Sequence, residues 1–156
     1  MQTTFTLSTR GPGLYEFTRD VTGWLDASGS GDGLLTLFVR HTSCSLLIQE
    51  NADPDVCRDL HAYFRRLAPH ADSAEMAYLT HRSEGPDDMP AHIKSALLPV
   101  SLSIPVSEGR MQLGTWQGVY LFEHRDRPHQ RAVAAHFGGS QTNYRSESAH
   151  PAIRRN

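Results

Sequence analysis

The sequence predicts an α+β fold: a folded, sandwich-like antiparallel β-sheet with a few short helices at its margins. Three observations lead there. Short apolar or β-branched runs recur along the chain and crowd together in its second half. Only one stretch carries sustained helical periodicity, and the connections are brief and rich in Gly, Pro, Asp and Ser. A length of 156 residues suits one domain with its own core. We place that domain at residues 1–138; the polar segment 139–156, "GSQTNYRSESAHPAIRRN", reads as a disordered tail or an arm on a neighbour.

Taken in order, "TTFTL" alternates and predicts an opening strand, and a short strand is expected at Leu14–Thr18. A helix follows, with Thr18 or Asp20 as its N-cap and Val21, Trp24 and Leu25 on its buried face. "SGSGDG" is a turn, and "LLTLFVRH" predicts a strand with inner positions on both faces. "SLLIQEN" continues it or pairs with it. "DPDVCRDLHAYFRRL" is the clearest helix: Asp53 caps it, Pro54 needs no N–H there, and Val56, Leu60, Phe64 and Leu67 recur on one side. "AYLTHRS" predicts a short strand, "EGPDDMP" a loop, and "PAHIKSALL" a short helix. "VSLSIPV", "MQLGT", "WQGVYLFEH" and "HQRAVAAHF" predict a closing meander.

Composition narrows the function. A net charge of −2 offers no electrostatic reason to bind nucleic acid or an anionic membrane surface. No apolar run is long enough to span a bilayer, and "MQTTFTLSTR" has no apolar segment of a secretory leader. Two cysteines, Cys44 and Cys57, do not make a disulfide framework, so a cytoplasmic location is expected.

Nine histidines are more than usual. His41 ends a strand, His81 lies in the "AYLTHRS" run and His92 in the short helix; no pair has a local zinc spacing, so a shared site has to be assembled by the fold. The plainer reading of each is a surface or hydrogen-bonded core histidine. Glu84, Asp87 and Asp88 can hold a hard cation or cap the next helix, with Asp88 the better cap and Asp87 the more open question. Across a hairpin at "RDRP", Glu123 and Arg131 can meet, as a structural ion pair or as an anion-binding arm. The glycines of "GTWQG" allow close approach around Trp116 and Gln117. Cys44 as a nucleophile is a minor reading, since a lone buried cysteine is more often a small hydrophobe.

The segments "HTSCSLLIQENADPDVCRDL", "YLTHRSEGPDDMPAHIKSALL", "SLSIPV", "GRMQLGTWQGVYLFEHR" and "RAV" resemble, in order and spacing, the YjbQ family, named for a secondary thiamine-phosphate synthase activity. The resemblance implies a homotrimer with pockets near subunit boundaries and a histidine-lined cavity that holds a divalent metal, zinc or magnesium. It carries over His41, His81 and His92 as metal ligands, with His41, Glu50, Glu123 and Arg131 catalytic. Ser43, Trp116, Gln117 and Asp87 would then meet a small phosphorylated substrate. Two other functions fit the same residues: a metal-dependent hydrolase of a small phosphorylated or acyl compound, and a non-catalytic protein that binds a metabolite or metal.

Overall fold

Leu35, Leu37 and Val39 are fully buried while their neighbours Leu34 and Phe38 are 47% and 49% exposed, so that strand has one inner face, not the two its apolar run suggests. The computed structural model describes residues 1–141. Its elements are β1 (Gln2–Ser8), β2 (Gly13–Glu16), α1 (Thr18–Ala27), β3 (Ser30–Val39), β4 (Cys44–Glu50), α2 (Pro54–Leu67), α3 (Asp88–Leu97), β5 (Ser101–Ser107), β6 (Arg110–Met111), β7 (Gln117–Glu123) and β8 (Gln130–Gln141). A single 3-10 turn at Ala74–Met76 lies between α2 and α3.

The strands form two antiparallel sheets, β1-β8-β3-β5-β6 and β2-β7-β4. The fold class is therefore α+β, as expected. One core joins them: Leu35, Leu37, Ile104, Val133 and Phe137 come from the larger sheet, and Leu46, Val119 and Leu121 from the smaller. Each such side chain contributes roughly 1.5–3 kcal/mol when fully buried. Helix α1 adds Val21 and Leu25, with Trp24 only partly buried. Its N-cap is Phe17, with no side-chain bond, because the Thr18 hydroxyl accepts from the N–H of Val119 and donates to Glu16. Helix α2 starts as predicted, with Asp53 accepting from the N–H of Asp55 at 2.9 Å. It covers the outer face of β7, where Phe64 meets Phe122 edge-on at 5.7 Å.

Two expectations fail for identifiable reasons. The closing meander breaks after β6: Gly114 N–H donates to Gln117 Oε1 and Gln117 N–H to Gly114 O, a tight turn that hands the chain to the smaller sheet. Strands β7 and β8 are thus in different sheets. The "AYLTHRS" run is not a strand either. The Arg82 guanidinium donates to the carbonyls of Ala71, Met76, Ala77 and Leu79, supplying bonds that a sheet ladder would otherwise make. Strand β8 continues past Gly138, pairing Gly139 with Gly33 and Gln141 with Ser30. The rest of the expected tail, residues 142–156, lies outside the described residues.

Candidate functional site

Helix α3 begins where two carboxylates are drawn to one arginine. Asp87, at its N-cap, makes no cap bond. Its carboxylate instead accepts from Arg125 Nε at 2.8 Å and from the N–H of Asp126 at 3.0 Å. Asp88 Oδ1 accepts from Arg125 Nη1, and the same guanidinium donates to Glu84 O. Pro90 fits the first helical turn, where its missing N–H costs nothing, and the helix ends at Leu98, extended ahead of Pro99.

The other oxygen of Asp88 faces two imidazoles. His81 Nε2 lies 2.7 Å from Oδ2 and His92 Nε2 lies 3.3 Å from it. The three ligand atoms fall within 4.8 Å of one another. The Asp88 side chain is 3% exposed, against 41% for His81 and 34% for His92, so a buried carboxylate forms the floor and two accessible rings the rim. Burial pushes the Asp88 carboxyl upward, but the His81 hydrogen bond and the Arg125 charge outweigh it and hold the group below the usual carboxylate range. It is an anion at neutral pH.

His92 has its tautomer set by the backbone. Its Nδ1 sits 3.0 Å from the carbonyl oxygen of Thr42, which can only accept, so Nδ1 carries the proton. In the neutral ring Nε2 is then bare, and it is aimed at an anionic oxygen. Lone pairs opposed in this way repel unless a cation or a proton joins them. Two imidazoles and one carboxylate form a common catalytic zinc donor set and suit borderline metals better than magnesium, which prefers oxygen.

His41 stands apart from this group. Its Nε2 accepts from the N–H of Ala132 at 2.9 Å, so the donor set the geometry offers is His81, Asp88 and His92 in place of three imidazoles. Burial, and then the charge of Arg131, depress its pKa, so the ring is neutral with its proton on Nδ1. His41 and His92 share the wall of an apolar groove of about 600 Å³, bounded also by Phe38, Thr42, Ala96 and Val100.

Glu123 and Arg131 do meet, though between the two sheets rather than across a hairpin. Arg131 Nε donates to Glu123 Oε2 at 2.7 Å and its Nη2 to Ser43 Oγ at 3.1 Å. Thr9 Oγ1 and the N–H groups of His124 and Arg125 complete the carboxylate's shell. Glu123 is 0% and Arg131 4% exposed, which makes this a closed ion pair. The Cys44 thiol beneath is pushed up to about 12 by burial and is no nucleophile at neutral pH.

Glu50, Trp116 and Gln117 lie elsewhere. Glu50 pairs with Gln117 at one end of the β4–β7 ladder, whereas Cys44 pairs with Glu123 at the other. Six residues of strand separate the ends, about 20 Å. Trp116 is 63% exposed there. The sequence left Asp88 open between a cation ligand and a helix cap, with the cap favoured, and did not point to Arg125. Asp88 and His92 are spaced i,i+4, a signal of one helix face that was available; Arg125 had no local signal.

Two antiparallel sheets around one core, with an Asp/His cluster opening beside an apolar groove, define an α+β protein with a candidate metal centre at the edge of its smaller sheet. The model of the UPF0047, YjbQ-like proteins matches residues 3–140. A UPF0047 protein of Synechocystis is 51% identical over 85% of this chain and 88% of its own. The UPF0047 protein YjbQ of Salmonella typhimurium is 43% identical over 88% and 97%. Among solved structures, an uncharacterised YjbQ/UPF0047-family protein from Clostridium acetobutylicum aligns with a TM-score of 0.75 at 33% identity, over 86% of this chain and 98% of that one. The chain belongs to the YjbQ-like UPF0047 family.

Proposed function

We propose that the protein is a metal-dependent enzyme acting on a small phosphorylated compound, with His81, Asp88 and His92 as the ligands of a zinc-like divalent ion. The observation that carries this reading is His92, whose Nε2 is held 3.3 Å from an anionic oxygen of Asp88 by the Thr42 carbonyl behind it, an approach that a cation or a proton has to bridge. A bound ion would supply Lewis acidity toward a phosphoryl oxygen or a water. The chain's own residues do the rest. His41 Nδ1–H donates a hydrogen bond into the groove, while Phe38, Ala96 and Val100 shield a reacting carbon from water.

Thiamine-phosphate synthesis fits this groove as a secondary activity. There the pyrimidine methyl carbon loses pyrophosphate with its electron pair, and the thiazole nitrogen closes the new bond. Arg131, enclosed with Glu123, is a support for the site and not a pyrophosphate clamp. The same reading takes the assembly as a homotrimer, since Leu34 and Phe38 expose an apolar outer face on β3.

Elemental analysis of untagged protein tests the ion: about one equivalent per chain is expected for a three-ligand site, lost in Asp88→Asn and in His92→Ala. Equal metal content in all three proteins would end the proposal. Pyrophosphate release with and without the thiazole phosphate then separates condensation from hydrolysis, and metal retention without turnover of either kind identifies a binding protein. Light scattering checks the trimer, which a monomeric mass contradicts.

A further inference from the structure

Helix α3 has a second polar side. His92 and Lys94, two residues apart, diverge by about 200° around the helix axis, so Lys94 points away from the cluster and into a separate cavity. That cavity, about 90 Å³, lies between the end of α2, α3 and the end of β7, and its lining includes Arg65, His70, Asp87, Lys94, His124 and Asp126. It has room for a few waters or one tetrahedral oxyanion.

Two of these side chains are more than nine-tenths buried yet each carries a nitrogen with no hydrogen-bond partner. Lys94 is 8% exposed, and among the described residues its ammonium group makes no hydrogen bond or ion pair. His124 is 3% exposed, and its Nδ1 is a buried atom with no hydrogen-bond partner. The carboxylates nearby are committed. Asp87 serves Arg125 and the N–H of Asp126, and Asp126 faces His70 at 3.1 Å. What remains toward the cavity is the Lys94 ammonium, on a largely buried side chain and bonded to no carboxylate, with Arg65 also in the lining. Asp126 and Asp87 act on Lys94 through space but bond elsewhere, so an oxyanion that bonded directly to the ammonium and to the orphaned His124 nitrogen would satisfy both.

His124 can help hold it. Burial pushes its pKa down to about 3, so the ring is neutral and one nitrogen carries the proton. The Ser45 hydroxyl lies 2.9 Å from Nε2. When Ser45 donates to Nε2, Nδ1–H becomes the ring's donor and meets an oxyanion without adding charge.

We propose that this cavity is a binding site for a small tetrahedral oxyanion of the phosphate class. Lys94 supplies the counter-charge, His124 Nδ1–H a neutral hydrogen bond, and Arg65 a second cation in the lining. The site stands independently of the metal cluster on the opposite side of α3.

The test is a calorimetric titration of inorganic phosphate into chelator-treated full-length protein at fixed ionic strength. Saturable binding at one site is expected, weakened about tenfold or more in Lys94→Met, as loss of a charge-assisted contact implies. Arg65→Ala, at an exposed position that leaves the core intact, is expected to weaken it several-fold, and His92→Ala to leave it unchanged. Methyl phosphate as a second titrant distinguishes a phosphoester group, which it would mimic, from free phosphate, which alone would bind. No saturable binding to wild type, or wild-type affinity retained in Lys94→Met, would overturn the proposal. Because the protein is metal-free throughout, this outcome is separate from the fate of the metal reading.

Discussion

Glu123 with Arg131 and Asp88 with Arg125 are the same chemical couple in two settings. In the first, every approach to the carboxylate is taken by Arg131, Thr9 and two backbone N–H groups, and both side chains are sealed between the sheets. In the second, arginine holds one oxygen while the other looks toward two accessible imidazoles. A buried acid and base are thus a weak sign of chemistry. What marks a site is a buried charge whose remaining valence is directed at groups a ligand can reach.

The sharpest way to break this contrast is to truncate each acid. Glu123→Ala leaves Arg131 buried without its anion and is expected to cost about 3–5 kcal/mol in urea unfolding. Asp88→Asn keeps an oxygen for Arg125, so its stability loss should be much the smaller while metal is lost. Comparable losses in both variants would erase the distinction.

Acid titration sharpens it further. The pKa of Glu123 in the fold lies below its ordinary 4.5: burial raises it, but the Arg131 hydrogen bond, the Arg125 N–H and the Arg131 charge together outweigh that. Its contribution is therefore complete above 4.5 and lost as pH falls through the folded value. His124 acts earlier. Its pKa falls from 6.5 to about 3, so protons favour the unfolded chain across that interval, and stability on the order of a few kcal/mol drains away there. Unfolding free energies measured from pH 7 to pH 3 should fall less steeply in His124→Asn than in wild type; parallel curves would contradict the assignment. Smallest of all is Thr9→Val, which deletes the hydroxyl's bonds to Glu123 and from the N–H of His129 and is expected to cost about 1–2 kcal/mol by the same unfolding measurement.

How much of this was legible in the sequence depended on whether the deciding contacts were local. Helix α2 was readable because Asp53, Pro54 and an apolar period act within a few residues of one another. The meeting of Glu123 and Arg131 was readable too, but by the wrong route, because "GTWQG" sends β7 into the other sheet and only the folded core brings the pair together. The histidines were noticed as a type. The grouping implied by the family resemblance set His81 beside His92 but added His41 and left out Asp88, because His41 spends its Nε2 on a backbone N–H 91 residues away, while Asp88 turns from capping its helix to receiving His81 and Arg125.

The loop that carries His81 is gathered largely by one side chain, Arg82. Arg82 gathers four carbonyls from a stretch outside both sheets, so the position of the adjacent imidazole depends on a residue that is not itself part of the His81–Asp88–His92 cluster. Affinity at the cluster then becomes a gauge of how firmly that anchor grips. A lysine there, with three donors and no planar fork, would loosen the tether while leaving all three ligands in the chain.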